Sequence, residues 1–223
     1  MIRFEHTEKR YPSGRAALAD FSLSVGVGEL AFLTGPSGAG KSTALKLLAL
    51  IERPTRGRVI VGGTDLAQVG RADVPFYRRR IGMVFQDHRL LLDRSVWENV
   101  ALPLIVAGHP RRELDRPVRA ALETVGLGHC ATQQPLEMSS GEQQRVGIAR
   151  ALVGKPDVLI ADEPTGNLDP SLARDILELF QASARTGVTV LVATHDLHLV
   201  GQLGARQVHL SQGQVIRDDA WAP

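Results

Sequence analysis

Cysteine is nearly missing: Cys130 stands alone, which excludes an internal disulfide framework and a cysteine-rich zinc site and suits a reducing compartment. An excess of one charge is lacking too. The 26 Lys and Arg face 24 Asp and Glu, a formal net charge of +2, so the overall balance gives no reason to propose nucleic acid as the main partner. Long apolar runs are absent. The segment 102–107 is short and interrupted by Pro103, far below the roughly 18 residues of a spanning helix. No basic stretch followed by an apolar one opens the chain, so no export signal is expected. These absences point to a cytosolic chain that can still dock onto a membrane protein.

What remains is 223 residues with 43% hydrophobic content, enough for one sizeable domain with a small subdomain. Alternating apolar positions over 2–7 and 21–25 predict strands around the turn Pro12-Ser13-Gly14. An apolar strand over 29–34 runs into a glycine-rich loop, and Ala- and Leu-dense 43–51 reads as a partly buried helix ended by Pro54 and Gly57. Further strands are predicted at 58–61, 81–85, 158–161 and 188–193, a helix at 171–184 and a hairpin over 207–216. Between about 87 and 154 the pattern turns helical, with candidates at 95–107, 114–125 and 142–153. Helices on a central sheet make the chain α/β.

Gly35-Pro36-Ser37-Gly38-Ala39-Gly40-Lys41-Ser42 fits G-x-x-x-x-G-K-[ST] between a predicted strand and a predicted helix. The glycines let backbone N–H groups curl around phosphate oxygens, and the helix N-terminus adds partial positive charge. In such a loop the lysine, Lys41, reaches the β/γ-phosphates and the hydroxyl, Ser42, ligates Mg²⁺; Thr43 continues the site into the helix. Taken alone, the loop does not separate an ATPase from a kinase or a GTPase.

A second site follows the apolar run 158–161. Asp162 at the end of a buried strand can hold the magnesium shell, and Glu163 can accept a proton from attacking water. An acidic turn before Pro164 is the bland alternative. A small-molecule kinase has no specific need for this pair.

The full motif set resembles the nucleotide-binding subunits of ABC-type ATPases. Ser139-Ser140-Gly141-Glu142-Gln143 looks like the family signature, Gln86 sits where the glutamine loop is expected, Asn167-Leu168-Asp169 resembles the loop after the acidic motif, and His195 matches the switch histidine. The resemblance implies a P-loop NTPase fold with a RecA-like core and an edge antiparallel β-subdomain (about 1–86 and 155–223) and a helical subdomain carrying the signature (about 87–154). It implies ATP and Mg²⁺ as cofactors, with Gln86 beside Ser42 and Asp162 at the metal. Tyr11 would stack on adenine, and His195 would contact the γ-phosphate beside Glu163. ATP binding would close two copies head to tail. Each ATP would then lie between one phosphate loop and the partner's signature residues Ser139, Ser140, Gly141 and Glu142, with Asp169 acting across the dimer.

Within the family, Tyr11-Pro12-Ser13-Gly14-Arg15, the run Ile81-Gly82-Met83-Val84-Phe85-Gln86-Asp87-His88 and Leu91-Leu92-Asp93-Arg94 look like the bacterial cell-division branch. That implies an integral membrane partner, neighbouring division proteins, and a peripheral position on the cytoplasmic side of the bacterial inner membrane. The stretch Ala161-Asp162-Glu163-Pro164-Thr165-Gly166-Asn167-Leu168-Asp169 is shared with lipoprotein-releasing and macrolide-export ATPases, so a transport role stays open, as does a scaffold with weak hydrolysis. One departure stands out. Where the family has Leu-Ser-Gly-Gly, this chain has Met138-Ser139-Ser140-Gly141, and Ser140 adds a Cβ and a hydroxyl beside the expected γ-phosphate position. It either supplies another donor or hinders closure.

Overall fold

The computed structural model describes residues 1–219 apart from Asn167, so the asparagine of the loop after the acidic motif lies outside the described residues. Strands β1 (Ile2–Arg10), β2 (Ala16–Val25), β4 (Arg56–Val61) and β5 (Thr64–Asp65) form an antiparallel sheet in the order β2-β1-β4-β5. A second sheet takes β3 (Leu30–Thr34), β6 (Ile81–Val84), β7 (Val158–Asp162), β8 (Thr189–Ala193), β9 (Arg206–Ser211) and β10 (Gln214–Asp219) in the order β10-β9-β3-β8-β7-β6. Its pairings are parallel except for the β9–β10 hairpin.

Both faces of the parallel sheet are covered, which is why its strands read as unbroken apolar runs. Alternate residues serve two cores. Phe32, Leu159, Ala161, Val190 and Val192 face one, while Ala31, Leu33, Val158, Ile160, Leu191 and Ala193 face the other. The first core holds α6 (Pro170–Arg185) and the helical segment with α3 (Val96–Val106), α4 (Asp115–Thr124) and α5 (Ser140–Leu152). The second holds α1 (Lys41–Leu48) and the antiparallel sheet, where Phe4 and Phe21 meet edge-on at 4.9 Å. Two short helices, α2 (Val74–Arg78) and α7 (Leu197–Leu203), and three 3₁₀ turns (Arg111–Glu113, Gly128–Cys130 and Pro135–Glu137) join these among the described residues. No helix among the described residues is long and apolar enough to cross a membrane.

β1 and β2 run several residues beyond the alternating segments because a bulge interrupts each. His6 and Asp20 both take positive φ, 44° and 51°, and the register shifts there. The exposed run Arg78-Arg79-Arg80 is tied into the structure. Arg78 donates to the carbonyls of Ala49 and Leu50, Arg79 to that of Val106, and Arg80 pairs with Asp157 at 2.6 Å.

Candidate nucleotide site

The phosphate loop leaves β3 at the carboxyl edge of the parallel sheet, where ligands of open α/β sheets bind. Gly35 and Gly40 have φ of 133° and 111°. A Cβ on them would lie 2.2 Å from the Leu210 carbonyl oxygen and 2.5 Å from that of Ala17. Both the backbone conformation and the close approach therefore demand glycine. A cleft of about 460 Å³ opens over this loop, lined among others by Tyr11, Ser37, Gly38, Ala39, Gly40, Lys41, Ser42, Thr43, Gln86, Glu163 and His195.

Lys41 is 7% exposed, and its ammonium donates to the carbonyls of Gly35 (2.7 Å) and Pro36 (3.3 Å). Gly35 and Pro36 thus serve the loop by holding its lysine rather than by lining the cleft wall. Ser42 Oγ donates to Asp162 Oδ1 at 2.9 Å. Burial pushes the Asp162 carboxyl above the usual range, partly offset by that hydrogen bond and by Lys46 and Lys41. A half-buried carboxylate beside a hydroxyl suits a hard cation. One carboxylate and one hydroxyl fit Mg²⁺, which keeps several waters and takes phosphate oxygens as further ligands. Ser42 and Asp162 would hold it, and Gln86, exposed at the end of β6, lines the same cleft.

Glu163 follows β7 at φ 47°, a left-handed conformation costing a non-glycine residue about 1–2 kcal/mol. Its N–H donates to the Ala193 carbonyl at 2.9 Å, which ties it to the end of β8. The carboxylate is bracketed: Oε1 lies 3.8 Å from Lys41 Nζ, and Oε2 lies 2.9 Å from His195 Nδ1 and accepts from the His195 N–H at 3.3 Å. Tyr11 stands at the cleft's rim on the β1–β2 turn, with Lys9 Nζ 5.1 Å from its ring centre.

The signature residues lie elsewhere. Ser139 caps α5, accepting from the Glu142 N–H at 3.3 Å, while Glu142 Oε2 accepts from the Ser139 N–H at 2.9 Å and hydroxyl at 2.7 Å. Ser140 is the first helical residue and is absent from the positive-φ positions, so its Cβ meets no backbone penalty. Gly141 packs where a Cβ would meet Leu172. Asp169 caps α6, accepting from the Ser171 hydroxyl at 2.6 Å and from the N–H groups of Leu172 and Ser171, and these hydrogen bonds, the hydroxyl's first, hold its carboxyl below the usual range. None of Ser139, Ser140, Gly141, Glu142 and Asp169 lines this cleft.

Three cleft residues, Arg15, Ala17 and Lys46, escaped the sequence reading. Arg15 donates to the Gly38 carbonyl at 3.2 Å, and Lys46 lines the cleft one helical turn after Ser42. The i, i+4 spacing from Ser42 was the available signal for Lys46.

A phosphate loop at the carboxyl ends of parallel strands, faced by Asp162, Glu163 and His195, defines a P-loop nucleotide-binding domain. The chain belongs to the ABC transporter family, which it matches over residues 18–166. It is 54% identical over 215 residues to the cell division ATP-binding protein FtsE of Escherichia coli (strain K12), covering 96% of this chain and 97% of that one. Identity to FtsE of Mycobacterium tuberculosis is 49% over 220 residues, covering 98% of this chain and 96% of the relative. Among solved structures, the dimeric ATP-binding cassette MJ0796, in a post-hydrolysis state bound to ADP and Pi, superposes with a TM-score of 0.92 at 32% identity, with 100% of both chains covered. The carboxyl-edge site, antiparallel edge sheet and helical subdomain are those of the ABC nucleotide-binding fold.

Proposed function

We propose that the chain is the ATP-hydrolysing subunit of a membrane-associated cell-division complex, in which ATP-driven closure of a homodimer acts on an integral membrane partner resembling FtsX to regulate cell-wall hydrolysis. The observation that carries the reading is Glu163 held between Lys41 and His195 in the cleft over the phosphate loop. Whole-length similarity to FtsE chains supports the division role.

In this reading, ATP enters with its adenine against Tyr11 and its phosphates in the loop 35–42. Lys41 exchanges the carbonyls of Gly35 and Pro36 for phosphate oxygens. Ser42 and Asp162, with Gln86 nearby, would hold Mg²⁺, which when bound would supply neutralisation of phosphate charge. Glu163 orients a water for in-line attack and takes its proton, while His195, hydrogen-bonded to Glu163, fixes that carboxylate. The α5 N-terminus with Ser139 remains without a nucleotide within its own chain. Its N–H groups suit a γ-phosphate presented by a second copy, and Asp169 would then approach the opposite phosphate loop.

A groove of about 600 Å³ lined by Pro75, Arg78, Met83, Leu104 and Val106 suits a cytosolic helix of the membrane partner. Such a partner would hold the chain on the cytoplasmic side of the bacterial inner membrane.

Replacing Glu163 with Gln is expected to lower turnover by about 10²–10⁴-fold while preserving ATP-dependent dimerisation, read by phosphate release and sedimentation. Near-normal turnover would remove Glu163 from this role. Recovery of an exporter permease alone from detergent-solubilised cells would instead overturn the division partner.

A further inference from the structure

The loop after Gln86 is bound along one face of α5. Residues 140, 144, 147 and 150, spaced by four, three and three, share that face. Arg150 at its far end donates to the carbonyls of His88 and Arg89, each at 2.6 Å. Gly147 leaves the His88 carbonyl 3.9 Å from where a Cβ would sit. His88 Nδ1 is hydrogen-bonded to Gln144 Oε1, and Gln144 is buried. At the near end, His88 Nε2 lies 3.4 Å from Ser140 Oγ. His88 and Arg89 both hold positive φ, 54° and 49°, a conformation that persists only where the surroundings enforce it. Arg150 and Gln144 supply that enforcement.

Resting on the functional reading above, we infer that His88 is a positioning residue that sets the Ser140 hydroxyl, so that the signature is presented according to the state of the Gln86 loop. The imidazole is fixed on its Nδ1 side by Gln144, which aims Nε2 at Ser140. Gln144 Oε1 only accepts, so Nδ1 carries the ring hydrogen and Nε2 accepts from the Ser140 hydroxyl. Ser140 stands at N1 of α5, beside the cap Ser139. Held by His88, its hydroxyl is turned toward its own subunit. Released, it rotates freely beside Ser139 and crowds the γ-phosphate arriving from the partner copy. A glycine at position 140 has neither the hydroxyl to hold nor the bulk to obstruct. The serine that departs from the family pattern and the histidine after the glutamine loop are therefore one unit.

The test is a double-mutant cycle over His88 and Ser140, read as the turnover number, the KM for ATP, and ATP-dependent dimerisation in the Glu163→Gln background. His88→Asn is the principal variant. Its amide occupies the Nδ1 position and keeps a partner for Gln144, but it stops short of Ser140. His88→Ala is run beside it, with thermal melting to check folding. His88→Asn is expected to weaken dimerisation and turnover by about fivefold with Ser140 present, and by less than about twofold with Ser140→Gly. An equal loss in both backgrounds would make His88 a purely structural support and overturn the inference, as would His88→Asn behaving like the wild type. A wild-type chain that neither hydrolyses ATP nor dimerises with it would sink the functional reading itself, and this inference with it.

Discussion

Asp162 and Ser42 show how single residues here are set for a ligand rather than for the stability of the empty chain. Burial raises the folded-state pKa of Asp162 above its unfolded value. A carboxyl shifted that way costs stability where it is ionised, and the cost disappears as pH falls through the folded pKa. Asp162→Asn keeps an acceptor for the Ser42 hydroxyl and removes the half-buried charge. Without nucleotide its melting temperature is expected to stay equal or rise by up to about 3 °C, while Mg²⁺-dependent ATP binding is lost. A clear fall in melting temperature would mean that the ionised carboxylate stabilises the fold. The phosphate-loop residues and Asp162–Glu163 were legible in the sequence because their chemistry is written in contiguous residue types. Arg15 was not, since its contact with the Gly38 carbonyl spans 23 positions and leaves no local pattern.

At the scale of elements, several junctions depend on buried polar latches. Asn99 on α3 is fully buried. It accepts from the Leu91 N–H at 2.7 Å and donates to the carbonyls of Leu91 and Ser95 at 2.9 and 3.0 Å, which fastens the segment before the helix. Asn99→Ala leaves the Leu91 N–H without its acceptor, while the Leu91 and Ser95 carbonyls keep the N–H groups of Arg94 and Asn99; the cost is about 1–3 kcal/mol, or roughly 2–12 °C in melting temperature for a chain of this size. Urea and thermal unfolding would measure it, and an unchanged midpoint would show that the segment finds other partners.

The interior strands β3, β7 and β8 were readable as apolar runs, and α5 from its helical spacing. α2 and α7 were not, because seven residues or fewer give too little periodicity. β1 and β2 were underestimated, because the alternation breaks at the bulges at His6 and Asp20. Arg78, Arg79 and Arg80 are exposed, but their carbonyl and carboxylate partners lie on distant segments and left no pattern in the sequence.

For the whole molecule, the nucleotide cleft and the α5 N-terminus lie in different parts of one chain, and the proposed function makes them two half-sites. Within the chain, Ser139 is engaged with Glu142 and Asp169 with Ser171 and Leu172, which gives each an ordinary capping role. The motif order pointed to both halves, and the family resemblance implied that they lie apart, while the packing of the helical subdomain against the parallel sheet that separates them was not readable from the sequence. The measurement that tests the central claim most directly is a structure of the Glu163→Gln chain with saturating ATP and Mg²⁺. The account predicts two copies related by a twofold axis, with Ser139 Oγ of one about 2.7–3.2 Å from a γ-phosphate oxygen bound by Lys41 of the other. A closed assembly that keeps Ser139 remote from the opposing triphosphate, or encloses each ATP within one chain, would contradict it.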